Sequence, residues 1–142
     1  MLVSTKGRYA LRVMIDLAEH YSQEFIPLKD IASRQEISLK YLERILPEIK
    51  KHGLVDTVHG KGGGYRLKKE PAEITVWEVL NVAEGDMAPV SCLTGDAPPC
   101  ERAAECKTLP MWTEYYRQTK EYFSGITIAD LAGCGGEFNY II

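Results

Sequence analysis

Residues 38–67 constrain the fold of this chain more than any other stretch. Their first part places apolar side chains at the spacing of one helix face, at Leu39, Leu42, Ile45, Leu46 and Ile49. Ser38 stands at the N-cap position of this predicted helix, and Gly53 follows it as a C-terminal stop. Pro47 lies inside the helix and removes one amide donor, so we expect a bend there.

A short hairpin is predicted directly after this helix. The apolar residues Leu54, Val55 and Val58 indicate one strand, and residues 65–67 indicate the returning strand. Residues 60–64 between them contain four glycines, which suits a turn with backbone angles that other residues avoid. Residues 28–34 before the long helix predict a short helix, so the order is typical of a winged helix-turn-helix.

The predicted helix and hairpin carry the chemistry of a DNA-binding surface. Lys40, Tyr41 and Arg44 lie on the polar helix face, where they have the donors to read a major groove. His59 and Lys61 at the hairpin tip suit a phosphate backbone or a narrow minor groove. A polar helix face is usually only solvated and a glycine run is usually only a turn, but their succession favours DNA binding.

The charge is divided unevenly along the 142 residues, whose net charge is −3. Residues 1–70 hold 13 Lys+Arg and 9 Asp+Glu, whereas residues 71–142 hold 4 and 11. The predicted reader therefore lies in a basic half, and the acidic half suits partners, metals or self-association. The sequence contains neither an apolar run of membrane-spanning length nor the core of a signal peptide, so we expect a cytoplasmic protein.

The first predicted helix, residues 5–22, begins with a group of polar and basic side chains. It is amphipathic through Ala10, Val13, Met14, Leu17, Ala18 and Tyr21. Thr5, Lys6, Arg8 and Arg12 crowd its start, where the helix dipole disfavours cations. A nearby DNA phosphate would explain these cations, and a solvated basic turn is an equal alternative.

The second half contains a loop with three cysteines between two predicted helices. A capping box at residues 75–78 begins the first helix, and apolar residues at heptad-like spacing mark the second. The latter are Leu109, Trp112, Tyr116, Thr119 and Phe123, a predicted dimer interface unless they pack on their own domain. A further capping box at residues 127–130 begins a short last helix.

The cysteines of this loop are Cys92, Cys100 and Cys106, with seven and five residues between them. Structural disulfides are not expected without a secretory signal, which leaves metal or redox chemistry. Thiolates bind iron–sulfur clusters and zinc, but zinc sites usually use Cys-x-x-Cys pairs that are absent here. The spacing therefore suits a cluster somewhat better, and three incidental cysteines are the remaining alternative.

The chain resembles the IscR-like family of bacterial winged-helix regulators, which includes the NsrR, RsrR and CymR types. The matching segments are STKGRYA at 4–10, IPLKDIA at 26–32, ISLKYLE at 37–43, HGLV at 52–55 and GKGGGYRL at 60–67. The resemblance implies a homodimer whose two heads are bridged by a helix over residues 109–124. It also implies binding to a two-fold DNA site, mostly to repress transcription.

The resemblance carries functional residues onto this sequence. It implies that Cys92, Cys100 and Cys106 ligate a [2Fe–2S] or [4Fe–4S] cluster in cluster-binding members. It places DNA-reading residues at Ser38, Lys40, Tyr41, Glu43, Arg44 and His59, of which Lys40, Arg44 and His59 differ from the family pattern. The fourth cluster ligand does not carry over, because Leu109 and Arg8 occupy the positions that supply it elsewhere. Cys134, a carboxylate of a partner subunit and a small exogenous ligand are the alternatives.

The sequence thus predicts a mainly α protein with a small β-hairpin wing. A winged helix-turn-helix domain would span residues 1–83, a cysteine loop 84–108, and a dimerisation helix with the C-terminal segment 109–142. The first functional hypothesis is a dimeric repressor that senses an iron–sulfur cluster or redox status. The alternative is a cluster-free regulator of sulfur or cysteine metabolism, controlled by a partner protein or thiol oxidation. No catalytic constellation is recognisable, so an enzyme is not expected.

Overall fold

The computed structural model describes residues 2–133. Its helices are α1 Thr5–Glu19, α2 Leu28–Gln35, α3 Leu39–Lys51, α4 Val76–Glu84, α5 Leu109–Ser124 and α6 Ile128–Ala132. Strands β1 Val55–Val58 and β2 Gly64–Leu67 form an antiparallel hairpin after α3. Short 3₁₀ helices cover Pro71–Glu73 and Ser91–Leu93. The predicted fold class, mainly helical with a small hairpin wing, is confirmed.

Local capping signals mark several helix starts as predicted. The Ser38 hydroxyl accepts a hydrogen bond from the Tyr41 amide over 3.1 Å, and capping boxes at Thr75 and Thr127 begin α4 and α6. Pro47 does not end α3, which continues to Lys51. The prediction for α1 was too long, because α1 ends at Glu19 and Tyr21 lies beyond it, 41% exposed.

We call the part of the chain that shares one apolar core the head. It comprises α1, α2, α3, the hairpin, α4 and α6. Its fully buried side chains include Met14, Leu17, Ile31, Leu42, Leu46, Ile49 and Ile128. Ile128 belongs to α6, which returns from the far end of the chain. The Ile128 amide donates to the Ile74 carbonyl and the Val76 amide to the Ile126 carbonyl, each over 2.8 Å. The segment after α5 is therefore part of the head.

A second apolar cluster joins the head to α5, and we call it the junction cluster. Its buried members are Val76, Leu80, Met87 and Ile126, with Val3, Leu11, Trp77, Phe123 and Leu131 packed against them. The start of the chain, α4, the start of the cysteine loop, α5 and α6 all meet here. Movement at the loop can therefore reach α1 and α5 through a packed contact.

The wing is anchored to the segment that precedes α2. Val55 pairs with Leu67 and Val58 with Gly64 in the hairpin. Ile26 adds a bridge to Tyr65, with N–O distances of 2.8 and 2.9 Å in the two directions. Leu54, predicted as part of the strand, lies just before β1 and is buried.

Helix α5 buries none of its side chains fully, and its apolar residues lie on two adjoining faces. The predicted seam is half-buried, and two of its members contact their own chain. Tyr116 lies 6.0 Å from Trp77 between ring centroids, and Phe123 packs on the junction cluster. Met111, Tyr115 and Tyr122 are exposed on the next face, at 54%, 42% and 60%. The seam is thus partly used within the chain, and the second face is open.

Candidate DNA-binding surface and cysteine loop

A buried carboxylate fixes α2 against α1 at the turn that leads into α3. Asp16 is 1% exposed and accepts hydrogen bonds from Arg34 Nε and Nη2 over 3.0 and 2.8 Å. It also accepts one from Gln35 Nε2 over 2.9 Å. Arg12 donates to the side-chain and backbone oxygens of Gln35. The Arg12 guanidinium is therefore engaged with α2, which neither of the two expectations for it, a phosphate contact or a solvated turn, includes.

This network also determines the charge of Asp16. Burial by itself would raise the pKa of this carboxyl, but hydrogen bonds from Arg34 and Gln35, with the Arg34 charge, lower it below its ordinary value. His20 Nδ1 lies 3.6 Å from the same carboxylate. Asp16 is therefore ionised in the folded protein at neutral pH, and all its buried polar atoms have partners.

Aromatic rings connect α1 to the exposed face of α3. The rings of Tyr9 and Tyr41 meet edge to face, with centroids 5.4 Å apart. The Arg12 guanidinium lies 5.1 Å from the Tyr9 centroid, and that of Arg44 lies 6.0 Å from the Tyr41 centroid. These contacts restrict the side chains that present the start of α3 to a ligand. Tyr41 is accordingly half-buried.

Two of the predicted reading residues, Glu43 and His59, line an open groove between α3 and the wing. Lys40, Glu43 and Arg44 are exposed on α3, and His59 and Lys61 are exposed at the wing tip. The groove, of about 440 Å³, brings Glu43 and His59 together, along with Leu39 and Val58. Leu39 is 43% exposed, so its assignment to the buried face was wrong. As the first residue of α3 it borders the groove instead of the core.

The start of α1 presents the other predicted contacts. Thr5 and Arg8 are exposed, Lys6 is half-buried, and Arg8 Nη2 donates to Thr5 Oγ1 over 3.1 Å. The Ser4 hydroxyl caps the helix by accepting from the Gly7 amide over 3.2 Å. A basic first turn at the N-terminus of a helix is a favourable phosphate-binding position.

The cysteine loop begins as an anchored segment. Met87 is 3% exposed in the junction cluster. The Asp86 carboxylate accepts hydrogen bonds from the Ala88 amide over 2.8 Å and from the Gly95 amide over 3.2 Å. Cys92 lies within the segment so folded and is exposed.

The other two loop cysteines lie together. Cys100 and Cys106 line one cavity of about 470 Å³, to which Arg102, Glu105, Lys107 and Thr108 also contribute. The pKa of the Cys106 thiol is lowered because the Thr108 hydroxyl and the Thr108 and Leu109 amides hydrogen bond to its sulfur. The thiolate is the form of cysteine that binds metals and reacts.

The cysteines do not form a closed ligand set as folded. Cys92 is not among the residues that line the cavity of Cys100 and Cys106. Within residues 2–133, no three Cys, His, Asp or Glu side chains are placed to hold a metal ion. Cys134, one candidate for the fourth ligand, lies outside the described residues. Three thiols have the donor chemistry of a cluster site. In this structure Cys92 does not join Cys100 and Cys106 in one ligand set.

Comparison with known proteins identifies the family. Residues 3–133 match the model of the Rrf2 family, described as an iron-dependent transcriptional regulator. The chain belongs to the Rrf2 family. Over 131 residues it is 36% identical to IscR of Aliivibrio salmonicida, covering 92% of this chain and 77% of that protein.

Solved structures of Rrf2 relatives share the fold. CymR, the global cysteine regulator of B. subtilis, has a TM-score of 0.75 and 34% identity, over 96% of this chain and 99% of its own. IscR of T. potens has a TM-score of 0.69 and 34% identity, over 92% and 85%. This Rrf2 protein is therefore a DNA-binding transcriptional regulator. The prediction of a non-enzyme is confirmed, because the relatives are regulators.

Membrane insertion through a helix has no support in the described part of the chain. None of the helices within residues 2–133 combines the length and apolar character that crossing a bilayer requires.

Proposed function

We propose that this Rrf2 protein is a homodimeric repressor that binds a two-fold DNA site. The observation that carries the proposal is the groove shared by the capped start of α3 and the wing. Exposed Lys40 and Arg44 supply donors for the major groove, while His59 and Lys61 supply contacts for the backbone. The exposed start of α1 adds Thr5, Lys6 and Arg8 as phosphate contacts.

A second copy of the chain is the natural occupant of the open face of α5. Met111, Tyr115 and Tyr122 form an exposed apolar stripe on α5, separate from the ion pairs of Arg117 with Glu114 and Glu121. Burial of such a stripe against its symmetric copy is favourable, and heptad-like spacing suits helix pairing. Two heads related by two-fold symmetry would read half-sites about 34 Å apart.

The cysteine loop is the proposed sensor. Cys92, Cys100 and Cys106 would hold an iron–sulfur cluster, which supplies a redox-active group whose presence reports on iron and oxidants. The lowered pKa of Cys106 favours the thiolate that such ligation needs. The loop begins in the junction cluster, so the arrangement of its ligands can bias how α5 and the heads sit.

A cluster-free regulator is the second candidate, and two observations favour it. Cys92 is not among the residues that line the cavity of Cys100 and Cys106, and the chain matches CymR, named a global cysteine regulator, over 96% of its length. In that case a partner protein or oxidation of the loop thiols would set DNA affinity. Both candidates share the DNA-binding surface and differ only in the sensor.

Substitution of the exposed α3 arginine tests the DNA-binding surface. The DNA is a duplex that the wild-type protein selects from a randomised library. We expect Arg44→Ala to bind this duplex more weakly by about 1–3 kcal/mol. The physical reason is loss of an exposed charged donor that the proposal places in the major groove of the DNA. Fluorescence anisotropy at fixed salt measures the affinity, and titration well above Kd should give two chains per selected two-fold site.

Lys50→Ala is the matched control for that substitution, because it removes an exposed positive charge from the other end of the same helix. Its affinity should stay close to that of the wild type. Equal losses for Arg44→Ala and Lys50→Ala would show that only net charge matters and would contradict reading by the start of α3.

Anaerobic reconstitution with iron and sulfide separates the two sensors. We expect broad visible absorption with stoichiometric iron and sulfide, lost in Cys92→Ala, Cys100→Ala and Cys106→Ala, because three thiolates are needed to hold the cluster. Iron and sulfide analysis measures the outcome directly. A colourless protein after reconstitution, with operator affinity that changes on thiol oxidation, would instead establish the cluster-free regulator.

A further inference from the structure

A carboxylate from α4 caps the first turn of α1, eighty residues away in sequence. Glu84 Oε1 accepts hydrogen bonds from the Ser4 backbone amide over 2.9 Å and from the Ser4 hydroxyl over 2.7 Å. The Ser4 hydroxyl oxygen in turn accepts from the Gly7 amide over 3.2 Å. The Glu84 carboxylate thus fixes the position of Ser4 and orients its hydroxyl group toward the Gly7 amide.

The electrostatics of α1 explain why a carboxylate belongs there. The first turn of α1 contains no acidic residue, and it carries Lys6 and Arg8 at the positive end of the helix dipole. That arrangement is unfavourable within the helix, and an anion near the N-terminus offsets it. Glu84 supplies this anion from another element, so its charge lies next to the residues proposed to meet a DNA phosphate.

Gly7 shows how closely the two elements approach. A Cβ atom at Gly7 would lie 2.3 Å from Glu84 Oε1 and 3.0 Å from Val3 Cγ1. Real Cβ atoms do not approach an oxygen so closely, so the position accepts only glycine while the carboxylate is in place. Gly7 itself has ordinary helical geometry, since its φ is not among the positive values of the chain.

Glu84 also stands at the boundary of the cysteine loop. It is the last residue of α4, and Gly85 follows with φ of 86°. Met87, three residues further on, is buried in the junction cluster against which Val3 packs. Ser4 is therefore tied to Glu84 by hydrogen bonds, and Val3 and Met87 belong to the same apolar region.

We propose that Glu84 is a positioning residue for DNA binding. From the start of the cysteine loop, it fixes the position of the first turn of α1, which would face the operator. The inference rests on the proposed DNA-binding function and extends it. Glu84 touches no DNA itself. It acts through Ser4, whose cap places Thr5, Lys6 and Arg8, and it gives the loop a direct contact with that basic turn.

Operator affinity and amide exchange together test this role. Glu84→Ala should lower affinity for the selected duplex about fivefold, the effect of losing roughly one net hydrogen bond at the contact turn. The slope of log K against log salt should become shallower, because phosphate contacts are lost. Hydrogen exchange at the Gly7 amide should rise in the free protein. Glu84→Gln keeps an acceptor oxygen but loses the charge, so its affinity should lie between those of the wild type and Glu84→Ala.

Glu73→Ala is the matched control. Glu73 is exposed, and its side chain makes no hydrogen bond or ion pair within residues 2–133. The substitution changes the charge equally, so its affinity and salt slope should match the wild type. If Glu84→Ala binds the selected duplex as tightly as the wild type and Glu73→Ala do, the role of Glu84 is overturned. If none of them binds any selected duplex, the DNA-binding proposal fails as well.

Gly7→Ala breaks the same contact from the other side. Its methyl group should displace the flexible end of Glu84 without unfolding α1, since alanine favours helices. The affinity loss should resemble that of Glu84→Ala. The double variant should be no worse than Glu84→Ala alone, because both changes remove one interaction. Fully additive losses would contradict the proposal.

Discussion

Replacement of Gly64 by alanine should abolish the wing's attachment to the head. A Cβ atom at Gly64 would lie 2.1 Å from the Ile26 carbonyl oxygen and 2.8 Å from the Pro27 nitrogen, both of them backbone. Neither atom can move without breaking the two hydrogen bonds between Ile26 and Tyr65. We expect a loss of about 2–3 kcal/mol in the free energy of unfolding, measured by urea denaturation.

The same substitution should weaken operator binding by more than about tenfold, since β2 positions the wing tip that carries His59 and Lys61. Gly62→Ala is the matched control, because Gly62 has φ of 79° but open space around its Cβ position. It should cost only about 1 kcal/mol of conformational strain. Equal losses for the two variants would show that backbone angle, and not contact with Ile26, governs this turn.

Asp16→Asn should be the most damaging change in the α1–α2 interface. The substitution keeps the size of the side chain but removes its charge. It also replaces one of the two carboxylate oxygens that accept hydrogen bonds from Arg34 and Gln35. Breaking a buried ion pair usually costs about 3–5 kcal/mol, and the partial exposure of Arg34 reduces the expectation to about 3 kcal/mol. Urea denaturation at pH 7 measures the difference. Glu19→Gln, an exposed carboxylate of the same helix, should change stability little.

The pH dependence of stability provides an independent check on Asp16. The folded pKa of this carboxyl is lowered, so its contribution is fully present above the unfolded pKa of about 3.9. That contribution is lost as the pH falls through the folded pKa. The stability difference between wild type and Asp16→Asn should therefore shrink below about pH 4. A difference that stays constant to lower pH would mean that the pair contributes through packing alone.

Helix starts and the hairpin could be predicted from sequence because their causes are local. Ser38, Thr75 and Thr127 cap amides within three residues of themselves, and the glycine turn follows from backbone angles at single positions. The exposure of Lys40 and Arg44 follows in the same way from the apolar period of α3. The family resemblance rested on these same segments, which is why the fold class was predictable.

Other features depended on how distant elements meet. Leu39 has an apolar side chain at the spacing of the core-facing residues of α3. It nevertheless lines the groove between α3 and the wing and stays exposed. Arg12 has the charge of a phosphate contact, but it hydrogen bonds to Gln35 across the helix interface. The grouping of Cys100 with Cys106, and not with Cys92, is likewise a matter of loop folding that spacing does not contain.

The sequence by itself determined the helix starts at caps, the winged helix-turn-helix order and the exposed basic face of α3, because interactions within about four residues encode them. Only the tertiary structure decided that α6 completes the head core, that Asp16 orients α2, and that Glu84 caps α1. These contacts join residues between eighteen and about eighty positions apart. Such pairs have no periodic signature, since they form only when packing of apolar faces has brought the elements together.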